Sequence, residues 1–141
     1  MALSISRAEL WAAGIEDEAG GLARKLEGLA TAGANLEFVF ARRSPEDPGK
    51  GVVFLAPLKG VKQKHAAKKL RFQLLERIGA VRVEGADSPG LSARITQALA
   101  EKKLSLRGYS GSTIGKRVVM YLAFDSQADA IQAVRTLKRK I

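Results

Sequence analysis

The sequence predicts an α+β fold built twice, each half an antiparallel sheet with two helices on one face. Three observations carry this. The chain repeats itself internally; each copy opens a helix from the same acid-to-glycine turn; and each copy then supplies two strand-like runs and a second helix. In the ungapped repeat Asp17 faces Asp87, Gly20 faces Gly90, Ala23 faces Ala93, Leu29 faces Leu99, Ala30 faces Ala100 and Leu36 faces Leu106. Further on, "GKGVVFLAPL" from residue 49 matches "GKRVVMYLAF" from residue 115. That second match is four residues closer than the first, so copy one carries four extra residues between Leu36 and Gly49. They fall at the turn-rich "SPEDPG", where a hairpin loop absorbs an insertion cheaply.

Each element follows in order. Extended runs are expected at residues 7–16 and 80–86, where "AVRV" alternates as a half-buried strand does. The turns "DEAG" and "DSPG" come next, then helices over about residues 20–32 and 91–102. Leu22, Leu26, Leu29 and Ala30 share one face of the first helix; Leu91, Ile95, Ala98 and Leu99 share one of the second. Gly33 is placed to end the first helix as a C-terminal cap. Strand pairs are expected at residues 35–43 with 51–58, and 104–110 with 117–124, the glycine-rich "GYSGSTIG" between the latter being a hairpin loop. Val61, Leu70, Leu74 and Ile78 mark one closing helix, which reads as continuing through residues 71–79. Ala130, Ile131, Val134 and Leu137 mark the other. Each copy thus reads β-α-β-β-α, with a fourth strand hard to place in either. This is the split β-α-β, ferredoxin-like plan, divided as residues 1–78 and 79–141. Halves this small leave a sheet face open, so a dimer is expected.

Composition narrows the function classes. The 141 residues contain no cysteine, which excludes disulfides and thiol chemistry and fits a reducing, cytoplasmic setting. No apolar run reaches the roughly 20 residues of a membrane span, and the start has no leader pattern. Net charge is +10, drawing the chain toward polyanions. The excess concentrates in "LKGVKQKHAAKKLR", where Lys62, Lys64, Lys68, Lys69 and Arg71 are candidate polyanion contacts. Against nucleic acid, valine holds one of the two aromatic positions in "KGVVFLAP" and in "KRVVMYLA", a poor platform for stacking bases. The single histidine, His65, is ringed by lysines, which disfavours a bound metal. No cluster has metal-ligand spacing, and no nucleophile stands with a base, so neither enzyme, metal nor cofactor is expected.

The repeated corner combines a glycine, which permits conformations closed to other residues, with the unpaired N–H groups of a helix start. Asp17 and Asp87 are placed to satisfy those donors themselves, which is ordinary capping chemistry; a ligand carboxylate could take the same place.

"DSPGLSARITQALAEKKLSL" and "DEAGGLARKLEGLATAGANLEFV" resemble the ACT domain family, above all the ACT domains of uridylyltransferase nitrogen sensors. The pattern is Asp, any residue, Pro, Gly, an amphipathic helix, then a strand opening on asparagine. The resemblance spans nearly the whole chain as two tandem copies. It implies a ferredoxin-like fold and a regulatory module that binds a small molecule, most often an amino acid, between paired domains. Carried over, the ligand-binding positions are Asp17, Gly20, Gly21, Leu22 and Asn35 in copy one, and Asp87, Pro89, Gly90 and Leu91 in copy two. Copy one departs in having Ala19 for the proline; copy two has Ser105 where copy one has Asn35. Copy one therefore keeps the better polar pair and is favoured as the site. With no enzyme domain attached, a separate regulated partner is implied. The alternative is an interaction module whose basic helix meets nucleic acid or an acidic protein.

Overall fold

The computed structural model describes residues 3–141. They form two compact units: Glu9–Leu75, and a second made from the residues up to Ala8 together with Glu76–Ile141. Each is a four-stranded antiparallel sheet with two helices, the α+β plan expected from the sequence.

In the unit Glu9–Leu75, strand β2 (Trp11–Glu16) leads to helix α1 (Gly21–Thr31), then to β3 (Phe38–Arg43) and β4 (Lys50–Ala56), helix α2 (Gly60–Lys69) and a short β5 (Gln73–Leu74). The sheet order is β3-β4-β2-β5. Its core gathers Trp11, Ala13, Leu29, Val53, Leu55, Leu58, Ala67 and Phe72. In the other unit, β6 (Gly79–Ala86), α3 (Leu91–Glu101), β7 (Leu106–Ile114), β8 (Arg117–Phe124) and α4 (Gln127–Lys140) follow the same path. The order there is β1-β6-β8-β7, and β1 is Ser4–Ala8. Val81, Val83, Leu99, Leu122, Phe124 and Leu137 are fully buried between this sheet and its helices.

The missing fourth strands are thereby found. In the first unit β5 pairs with β2 through Trp11 and Leu74. In the second, the place is taken by the chain's own beginning: Ile5 pairs with Val83 and Arg7 with Val81, antiparallel. Residues 4–8 thus pair with the second copy, whereas the division at residue 78 assigns them to the first. The run at residues 7–16 is accordingly two strands, and they join different sheets.

Two further expectations are corrected. Helix α2 ends at Lys69, because Arg71 adopts a left-handed conformation (φ 68°) that turns the chain out of the helix. The Arg71 and Phe72 amides then donate back to the carbonyls of Lys68 and Ala67, and Phe72 is buried. Leu74 and Ile78 therefore lie outside the helix, and Val61, read as a core position, is 86% exposed. The glycine-rich "GYSGSTIG" is mostly strand: β7 runs to Ile114 and turns at Gly115 and Lys116. An edge strand with one neighbour, mostly exposed side chains and a bulge near Arg107 tolerates glycines that a central strand would not.

Candidate functional site

The acid-to-glycine corner has the same backbone in both units. Gly20 (φ 87°, ψ −8°) and Gly90 (φ 78°, ψ 8°) are left-handed residues that start α1 and α3. A side chain would strain either position. The Asp17 amide donates to the Gly49 carbonyl at 3.0 Å, and the Asp87 amide to the Lys116 carbonyl at 2.8 Å. Each acid thus ties its corner to the neighbouring hairpin through its main chain.

The carboxylates do not cap the helices. Neither α1 nor α3 has a side-chain cap. Their first amides bond within the turn, Gly21 to the Glu18 carbonyl at 3.1 Å and Leu91 to that of Ser88 at 3.2 Å. Asp17 instead faces β3, where its carboxylate meets the Arg43 guanidinium at 2.9 Å. The residues following the turn diverge. Leu91 is core, 3% exposed, whereas the equivalent Gly21 packs so tightly on the Glu16 carbonyl that a Cβ there would clash.

Asp17 and Leu22 share a small pocket of 200 Å³ with Ile15, Glu18, Arg42 and Arg43. Arg42 has no carboxylate partner among the described residues; it donates to the Arg43 carbonyl at 3.0 Å. Asn35 is elsewhere. The Ala34 amide donates to the Leu29 carbonyl, which holds Asn35 beside the last turn of α1. Gly20 opens that helix, and its 11 residues separate the two ends by about 16 Å. Asn35 is exposed in the loop before β3 and does not open the strand, which begins at Phe38. Within one chain the turn and Asn35 are therefore not brought together. Asp87, Pro89 and Gly90 form the corresponding exposed corner of the second unit, and Leu91 is withdrawn into its core.

Two groups at the corner escaped the sequence reading. Arg24 and Arg94 are equivalent in the repeat, and each folds back over its glycine turn. Arg24 pairs with Glu18 at 2.6 Å; Arg94 donates to the Pro89 carbonyl at 2.9 Å and to Ser88 Oγ at 2.8 Å. Their spacing of four residues after the glycine was a legible signal. Lys50, which opens β4, pairs with Glu16 at 2.6 Å. The hydrogen bond to Glu16 and the charge of that carboxylate raise the Lys50 pKa above its ordinary 10.5.

The candidate polyanion contacts do not form one stripe. By helical spacing Lys62 and Lys69 lie on one side of α2, Lys64 and Lys68 on another. Lys64 lies 3.7 Å from Glu9. His65 is exposed, and no three metal-ligating side chains cluster among the described residues. Among them, no helix is long and apolar enough to cross a membrane.

Two ferredoxin-like units, with a glycine corner between β2 and α1 in one and between β6 and α3 in the other, make the fold that the resemblance to ACT domains implies. Solved structures share it across the whole chain. Protein BT0572 from Bacteroides thetaiotaomicron superposes with a TM-score of 0.77 at 15% identity, over 95% of this chain and 90% of that one. The ligand-free regulatory subunit of aspartate kinase from Thermus thermophilus gives 0.65 at 16% identity, over 99% and 96%. The regulatory subunit of aspartate kinase from Thermus flavus gives 0.60 at 19% identity, over 99% and 95%. At such identities the likeness speaks for the fold. No family model matches the sequence, and no curated protein matches it.

Proposed function

We propose that the protein is a non-catalytic regulator that binds an amino acid or similar small metabolite at the corner of its first unit, and acts on a separate partner protein. The observation that carries this reading is the small pocket next to the glycine corner, lined by Asp17, Leu22, Arg42 and Arg43, with the Asp17 carboxylate 2.9 Å from the Arg43 guanidinium. Opposite charges a few ångströms apart suit a zwitterion: guanidinium for the carboxylate, carboxylate for the ammonium. At 200 Å³ the pocket is below the range of drug-sized ligands, which fits a small metabolite. Two of the structures sharing the fold are regulatory subunits of aspartate kinase, which supports a regulatory role.

Because Asn35 lies at the far end of α1, it joins such a site only from a second copy of the chain. The reading therefore includes a dimer, with Asn35 of one protomer completing the polar set of the other. A thermal-shift screen of the proteinogenic amino acids against the wild type and Gly20→Leu tests it. At least one amino acid should raise the Tm of the wild type, and that shift should vanish in the variant. No shift with any amino acid would remove the reading.

A further inference from the structure

A second cavity, on the other side of α1, separates the two units more sharply than the corner does. It is a cleft of 570 Å³ between the start of α1, the end of α2 and the β2 and β4 strands. The repeat explains why it exists. Two residues of α3 that fill the matching space, Leu91 and Ile95, are 3% and 1% exposed in the core of their unit. At the equivalent positions the first unit has Gly21 and Lys25, and both line the cleft. Lys25 stands where its counterpart Ile95 gains by burial, while Gly21 lies hard against the Glu16 carbonyl.

The cleft is strongly basic. Arg24, Lys25, Lys50, Lys69 and Arg71 line it, against the single carboxylate of Glu16. Glu16 is taken by Lys50, and Arg24 is paired outward with Glu18. Lys25 donates to the Leu70 carbonyl and lies 5.9 Å above the Phe72 ring, so its ammonium is held at the cleft wall. Lys69 and Arg71 have no carboxylate partner among the described residues. Arg71 holds a left-handed conformation at the end of α2, a place where glycine is the usual residue.

We propose that this cleft binds a small multivalent oxyanion, a phosphate- or polycarboxylate-bearing metabolite, with Lys69 and Arg71 as its principal contacts and Lys25 at the wall. The volume lies within the range of small-molecule sites, and concave basic walls focus field on a compact anion. A site of this kind is distinct from the corner pocket, which shares only Ile15 and Glu16 with it. The two are therefore testable apart.

The test is an NMR amide titration of the full chain with pyrophosphate, citrate and a single-stranded oligonucleotide, at fixed ionic strength. Pyrophosphate or citrate should bind saturably and shift the amides of Gly14, Leu70 and Arg71. Arg71→Gly removes the cation while keeping a residue that favours the local backbone, so folding is preserved. Affinity should fall about tenfold, the loss of one charge-assisted contact. Arg139→Ala, which removes an exposed cation of α4, should leave affinity unchanged. Saturable binding that Arg71→Gly and Lys69→Ala do not weaken would overturn the proposal. So would the absence of saturable binding by either small anion, or shifts confined to the oligonucleotide arm, which would make the lysines a nucleic-acid face.

Discussion

Arg24 and Arg94 hold the same place in the two units, each reaching back to the residue two before its glycine, Glu18 in one and Ser88 in the other. The contacts differ in kind. Arg24 makes one exposed ion pair, whereas Arg94 bonds both a hydroxyl and the Pro89 carbonyl. An exposed pair contributes about 0–1 kcal/mol, and each net hydrogen bond about 1 kcal/mol. Arg94→Ala should therefore destabilise its unit more than Arg24→Ala destabilises the other. Urea denaturation of both variants checks the order, and equal or inverted losses would show that the second corner is not the better braced.

The strand borrowed from the chain's beginning predicts a unit-specific defect. Ile5 belongs to the core that contains Val83 and Leu122, whereas Trp11, the one tryptophan, belongs to the other core. Ile5→Ala should cost about 2–4 kcal/mol, the usual loss for truncating a buried aliphatic side chain. Circular dichroism should report that loss, while the Trp11 fluorescence transition stays in place. A matching shift in both signals would mean that Ile5 supports both cores.

Gly79 makes room for the start of α4. A Cβ there would press on the Ser126 carbonyl and the Ala130 methyl, both close to the backbone. Gly79→Ala should destabilise by about 1–3 kcal/mol, the range for overpacking a filled core. Unchanged thermal stability would show that α4 can slide off β6 at little cost.

The Lys50–Glu16 pair predicts a pH effect with a defined sign. Glu16 raises the Lys50 pKa above 10.5, so its small stabilisation is fully present below that value. It is lost only as pH climbs through the higher folded-state pKa. Glu16→Gln should bring the Lys50 pKa back down, measured by NMR of the side-chain nitrogen, and should leave stability near neutrality almost unchanged because the pair is exposed. A Lys50 pKa that does not move would remove the pair.

Much of this fold was legible because its signals are local. The glycine corners and the helix faces of Leu29 and Leu99 each depend on a short window. The bounds of α1 and α3 fall within a residue or so of those expected. What failed depends on distant partners. Nothing near Ile5 says that it pairs with Val83 rather than joining the β2 sheet, since either pairing buries the same alternation. Leu70, Leu74 and Ile78 are spaced like a helix face, but burial of Phe72 and the left-handed Arg71 stop the helix before Leu74. The candidate positions divide by their place in the fold. Asp17, Gly20 and Leu22 stand at one corner, while Asn35 was grouped with them although a helix's length lies between. Sequence proximity in a motif does not carry across α1.

Amide NMR tests most directly whether the Gly20 corner receives an amino acid, as proposed. The amino acid giving the largest thermal shift is titrated into the labelled full chain. Saturable shifts are expected at Asp17, Gly20, Gly21 and Leu22, smaller ones at Asp87 and Gly90, and loss of binding in Arg42→Ala. Saturable binding that leaves Asp17 to Leu22 unshifted, in a chain whose spectrum is otherwise folded, would contradict it.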